Sequence, residues 1–135
     1  MRAVLDTNVL VSAMLTARGA CARVVDLLVA GAFELCADDR ILDEYETVLR
    51  RPEFGIAPED VEAVMDLIRH VALPVAAPPL PVQLPDPDDL PFLEVAAAAG
   101  AVLVTGNRRH FPKRRCKGVS VASPREFLDV LRQQS

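Results

Sequence analysis

Five acids of this 135-residue chain have the type and placement for chemistry: Asp6, Glu44, Asp86, Asp88 and Asp89. Asp6 closes the apolar run Ala3-Val4-Leu5 and opens Thr7-Asn8, and a run that short and early reads as a buried strand. A carboxylate at its last position stands at the carboxyl edge of a sheet, where open α/β folds place their ligands. Such a group is part-buried and needs hydrogen bonds or a cation. The plainer role, a helix cap, can be filled by Thr7. Acids drawn from distant segments, with only two histidines in the chain, suggest an oxygen-lined site for a hard divalent cation.

The remaining acids divide by their neighbours. On a helical wheel Ile41, Leu42, Tyr45, Val48 and Leu49 form one stripe, with Asp43 and Glu46 on the solvated side. Glu44 borders the stripe, three residues after Ile41 and four before Val48, and is the acid of this helix assigned to a site. In Asp86-Pro87-Asp88-Asp89 one carboxylate suffices for a turn or cap, and three like charges so close repel unless a cation or bulk water relieves them. Asp89, nearest the following helix, is the first choice, Asp86 the second, and Asp88 is assigned to solvent. Glu94 is expected to be exposed. Asn107, in the turn after Val102–Thr105, either ligates a metal, directly or through water, or caps that turn.

Six of the fifteen basic residues crowd into positions 108–117: Arg108, Arg109, Lys113, Arg114, Arg115 and Lys117. A run like this is commonly a solvated loop. Beside an acidic metal site its arginines, Arg108, Arg109, Arg114 and Arg115, would instead contact phosphates. His110 belongs to the loop or to phosphate contacts, and with only His70 as its fellow a zinc site lacks ligands.

These groups must be positioned by a scaffold, and the spacing predicts one. Strand signals fall at residues 3–6, 33–37, 101–105 and 119–122, and helical stretches at 8–15, 20–30, 39–50, 58–71, 92–99 and 124–132. Gly31 and Gly100 end their helices, and Ser123-Pro124 starts the last one. This alternation predicts an α/β fold with a parallel sheet covered on both faces. Residues 73–91 hold seven of the eleven prolines and read as an extended connection that delivers Asp86–Asp89.

Bulk properties narrow the class. The length suits one domain over residues 1–135, and 51% hydrophobic with 25% charged residues is a globular balance. The net charge of -4 argues against nonspecific coating of nucleic acid, though not against an enzyme that acts on it. Cys21, Cys36 and Cys116 form no metal or disulfide pattern and read as small core hydrophobes in a reducing, cytoplasmic setting. No signal peptide is expected. No run approaches about 20 apolar residues, so no membrane span is expected either.

The ordered set of motifs resembles the PIN-domain ribonucleases, in particular the VapC-like toxins of bacterial toxin–antitoxin modules. It comprises Val4-Leu5-Asp6-Thr7-Asn8-Val9-Leu10, residues 41–49 around Glu44, Asp86-Pro87-Asp88-Asp89 running into Phe92-Leu93-Glu94, Leu103-Val104-Thr105-Gly106-Asn107, and residues 123–128. The resemblance implies a three-layer α/β/α fold with a central parallel sheet and a Mg²⁺- or Mn²⁺-dependent site that cleaves RNA. It assigns the acids to Asp6, Glu44 and Asp89, with Asp86 nearby and Thr105 holding a ligand or a bound water. The fourth position, commonly an aspartate in the family, is Asn107 here, which removes one formal negative charge. A small antitoxin partner and a homodimer are implied by the resemblance alone.

Two rival readings stand beside it. A HAD-like phosphatase or a receiver domain also carries an aspartate after its first strand. The former would show a second aspartate where this chain has Asn8, and the latter a lysine near the late strand. A noncatalytic PIN-like module that binds RNA or protein is the other alternative, and Asn107 is the feature that favours it.

Overall fold

Five short parallel strands position everything else among residues 1–134, which the computed structural model describes. They are β1 (Arg2–Leu5), β2 (Glu34–Ala37), β3 (Leu73–Pro74), β4 (Val102–Val104) and β5 (Val121–Ala122). Six α-helices alternate with them: α1 (Thr7–Leu15), α2 (Ala20–Val29), α3 (Asp39–Leu49), α4 (Pro58–Val71), α5 (Leu90–Ala99) and α6 (Pro124–Gln133). The sheet order is β3-β2-β1-β4-β5, with Leu5 paired to Val104 and Ala3 to Leu35. This is the three-layer α/β/α arrangement expected from the sequence.

Successive residues of a strand face opposite sides of a sheet. Ala3, Val4 and Leu5 are all fully buried, so helices cover both faces of β1. Gly31 and Gly100 end α2 and α5 with φ of 78° and 63°, a left-handed conformation that a glycine adopts without penalty. Ser123 and Glu126 form a reciprocal capping box at the start of α6. That helix is then fixed to the core by Phe127, whose ring meets Phe33 edge-on at 5.0 Å.

The proline-rich connection departs from expectation in one respect. Its first residues, Leu73 and Pro74, form an edge strand beside β2, a place where proline's missing donor costs nothing. The rest is extended and pinned rather than loose. Leu80 N–H donates to Glu94 at 2.8 Å, Arg115 donates to the Gln83 carbonyl at 2.7 Å, and Leu84 is buried. It ends in a 3₁₀ turn, Pro87–Asp89, that leads directly into α5.

Glu94 corrects the sequence reading. It is only 4% exposed, and its carboxylate takes a 2.7 Å ion pair from Arg40 as well as the Leu80 amide. The helical wheel of so apolar a helix left it without a distinct side. Its function is to tie α3, α5 and the proline-rich connection together. The three cysteines are unpaired, with Cys36 and Cys116 buried and Cys21 half-buried. No single described helix is long and apolar enough to cross a membrane.

Candidate metal centre at the carboxyl edge of the sheet

The chain leaves β1 towards β2 on one side and returns to the sheet at β4 on the other, so the strand order reverses between β1 and β4. Ligand sites of open α/β sheets form at such a crevice. Asp6 follows the last residue of β1, and Thr105 follows the last residue of β4. The Asp6 amide extends the ladder to the Val104 carbonyl at 2.9 Å, which brings the two side chains together. The Thr105 hydroxyl donates to Asp6 Oδ2 at 2.7 Å, and both residues are buried.

Asp6 is held from a second side as well. Asn8 Nδ2 donates to the same oxygen at 3.2 Å, while Asn8 Oδ1 accepts the Gly106 amide at 3.1 Å. A Cβ at Gly106 would lie 3.4 Å from Asn8 Oδ1, an ordinary contact, so the amide hydrogen bond rather than the missing side chain is what ties the turn after β4 to α1. Asp6 stands at the N-cap position of α1 without capping it through its side chain, and Thr7 does not cap it either. The Thr7 hydroxyl instead donates to Glu44 Oε2. This overturns the expected capping role of Thr7 and makes it the link between the first two acids.

Glu44 arrives on α3, half-buried at the rim of the apolar stripe as the wheel predicts. Its neighbour Tyr45 is fully buried and donates to the Leu5 carbonyl, so α3 is anchored to the end of β1 one residue from each acid. Burial pushes the Tyr45 phenol well above its ordinary pKa, so it stays a neutral donor.

Asp89 is buried and Asp86 half-buried, while Asp88 is exposed as expected. Asp86 Oδ1 caps the 3₁₀ turn by accepting the Asp88 amide at 2.9 Å. His110 Nδ1 stands 2.8 Å from Asp89 Oδ2, an ion pair when the ring is protonated. No hydrogen bond of normal geometry reaches that buried oxygen. The expected loop or phosphate role of His110 therefore gives way to a place in the acidic cluster, which sequence spacing could not reveal because 21 positions separate it from Asp89.

The electrostatics of the cluster agree. Burial raises Asp6, opposed mainly by the Thr105 hydroxyl, and burial likewise raises Glu44, opposed by Thr7. Burial, with the Asp6 charge added, pushes Asp89 up to about 6. The acids are thus costly to ionise as they stand. A divalent cation would remove that cost, and an oxygen-rich donor set suits it.

Asn107 sits half-buried at the first position past the turn, its amide donating to the Thr105 hydroxyl at 3.0 Å. It is joined to Asp6 only through Thr105. The arginines split into two kinds. Arg108 bonds Glu126 at 3.1 Å and the Val121 carbonyl at 2.9 Å, and Arg115 bonds the Gln83 carbonyl, so both are structural ties. Arg109 and Arg114 are exposed, with no side-chain partner among the described residues.

Comparison with known proteins gives the same frame. The profile of the PIN domain family matches residues 2–109. No curated protein sequence matches the chain. Among solved structures, VapBC2 from Rickettsia felis, bound to a DNA fragment from its promoter, aligns at 17% identity over 91% of this chain and 98% of its own, with a TM-score of 0.61. VapBC-1 from nontypeable Haemophilus influenzae aligns at 18% over 93% and 99%, also at 0.61. FitAcB from Neisseria gonorrhoeae aligns at 18% over 90% and 97%, again at 0.61. At these identities the likeness is one of fold.

Proposed function

The chain belongs to the PIN domain family, and from that premise we propose that it is a metal-dependent endoribonuclease, the toxin of a toxin–antitoxin pair. The observation that carries the proposal is the meeting of mutually opposed carboxylates, Asp6 and Asp89 buried and Glu44 and Asp86 half-buried, at the β1/β4 switch point, supported on three sides by Thr105, Asn8 and Thr7. A domain spanning residues 1–135 would act on RNA in the cytoplasm, held in check by a small antitoxin and able to pair with a second copy. The likeness to VapBC-1 and FitAcB supports the antitoxin part.

Asp6, Glu44, Asp86 and Asp89 would hold Mg²⁺ or Mn²⁺, with Asn107 contributing its carboxamide or an intervening water. Bound there, the cation would acidify a water and offset the charge that grows on the phosphate. Thr105 and Asn8 fix the rotamer of Asp6, and Thr7 fixes Glu44, so the carboxylates need no rearrangement when substrate arrives. Glu44 and Asp89 would help hold the metal or orient the attacking water. Hydrolysis exchanges one P–O ester bond for a bond to the water oxygen, and the departing oxygen takes up a proton. Arg109 and Arg114 remain available for the phosphate backbone, whereas Arg108 and Arg115 are committed elsewhere.

Cleavage of a mixed RNA pool by chelator-stripped protein tests the proposal. Cleavage should return with Mg²⁺ or Mn²⁺, stay absent with EDTA, and be lost in Asp6→Asn and Glu44→Gln. RNA left intact under every metal condition would favour the alternative of a noncatalytic binding module, for which Asn107 speaks.

A further inference from the structure

His110 is the one group of the acidic cluster that a carboxylate site does not call for. It approaches from the turn after β4, the 3₁₀ segment Arg108–His110, while Asp86 and Asp89 come from the turn before α5. One ligand atom from each of Asp86, Asp89 and His110 lies within 4.8 Å of the other two. Neighbouring ligands of a six-coordinate ion at about 2.1 Å stand about 3 Å apart, and opposite ones about 4.2 Å. The 2.8 Å separation of His110 Nδ1 and Asp89 Oδ2 is therefore that of two adjacent ligands on one ion.

A second observation points the same way. Asp89 is only 8% exposed, yet its Oδ2 accepts no hydrogen bond of normal geometry. A buried acceptor without a donor is costly, and native structures rarely leave one without a purpose. Asp86 spends Oδ1 on its own turn and keeps Oδ2 without a partner among the described residues. The three groups thus offer two carboxylate oxygens and one imidazole nitrogen within 4.8 Å of one another, with Asp89 Oδ2 held by no donor but the His110 ring itself.

We infer that Asp86, Asp89 and His110 form a nitrogen-containing divalent-cation position, which takes Mn²⁺ in preference to Mg²⁺. The inference rests on the metal-dependent reading above and adds to it a ligand and a metal preference. Imidazole is a poor donor for Mg²⁺, which demands oxygen and sheds water reluctantly, but a good one for Mn²⁺ and the later divalent ions. Coordination through Nδ1 requires the ring proton on Nε2. His110 then acts as a ligand when metal is bound and as the close neighbour of Asp89 when it is not.

Electron spin-echo spectroscopy of Mn²⁺ added to the stripped full-length protein reads the ligand directly. Modulation from a directly bound ¹⁴N nucleus is expected in the wild type and should vanish in His110→Gln. In parallel, Mn²⁺ affinity, followed by the loss of the free-ion resonance, should fall more than about tenfold in His110→Gln, since even an outer partner of a ligand is worth about that much. Mg²⁺ affinity, measured by calorimetry, should change far less. Mn²⁺ that binds the wild type without nitrogen modulation would overturn this inference and leave the carboxylate metal site standing. A wild type that binds no divalent ion would overturn both. The wild-type spectrum decides the matter even if the variant folds poorly.

Discussion

Asp89 stands at the N-cap of α5 and Glu94 five residues on, in its second turn; both are buried, yet they have opposite surroundings. Glu94 is fully compensated, with Arg40 on one oxygen and the Leu80 amide on the other. Asp89 faces two other acids and a histidine, and one of its oxygens is left without a hydrogen bond of normal geometry. Burial alone does not mark a site. A buried charge with complete partners holds elements together, and one whose partners are other acids awaits something that comes from outside.

The sharpest way to break this contrast is to remove each kind of acid and read both activity and stability. Asp6→Asn should lower RNA cleavage at least about 100-fold, the scale of losing one preorganised electrostatic group, while its melting temperature in EDTA stays level or rises. Glu94→Ala should do the reverse. It leaves the Leu80 amide without its acceptor and Arg40 without its buried partner, and thermal or urea unfolding should show a loss of roughly 2 kcal/mol. A stable, active Glu94→Ala protein would dissolve the distinction.

A pH series sharpens it further. An acid whose folded pKa exceeds its unfolded value holds its proton more tightly in the folded state. For Asp89, raised from 3.8 to about 6, the metal-free protein therefore loses stability as pH climbs through that window. Asp6 and Glu44, raised by burial, act in the same direction. Melting temperatures in EDTA should fall between pH 4 and 6.5, and Asp89→Asn should flatten the slope. Saturating Mn²⁺ should oppose the fall, by about 2.7 kcal/mol at a hundredfold excess over its dissociation constant.

The smallest effect concerns the basic stretch. Removing Arg109 or Arg114 should weaken RNA binding and reduce its salt slope by about one unit each, whereas Arg108→Ala should leave binding level and lower the melting temperature slightly. Filter binding at several salt concentrations separates the two kinds of arginine.

Much of the scaffold was legible because its signals are local. Apolar runs, the glycines after α2 and α5, and the Ser123-Pro124 start placed most element ends within one or two residues of those observed. The edge strand at Leu73–Pro74 escaped because two residues carry no period, and its pairing with β2 is decided by tertiary packing. Within the candidate site, the sheet-edge place of Asp6 and the rim place of Glu44 were readable from their apolar neighbours. Thr7 as the tie to Glu44, Asn8 as the brace of Asp6 and His110 beside Asp89 were not. Thr7 and His110 depend on which segments meet, as did the burial of Glu94, whose partner Arg40 lies 54 positions away. Asn8 is only two residues from Asp6, and its orientation depends on the turn after β4 that holds its oxygen.

The most direct test of the central claim is RNA cleavage by folded Asp89→Asn and Glu94→Gln proteins, each stripped and then supplied with Mn²⁺. The account predicts that Asp89→Asn remains folded and does not cleave, while Glu94→Gln is less stable but cleaves once folded. Cleavage by Asp89→Asn at the wild-type rate would contradict it.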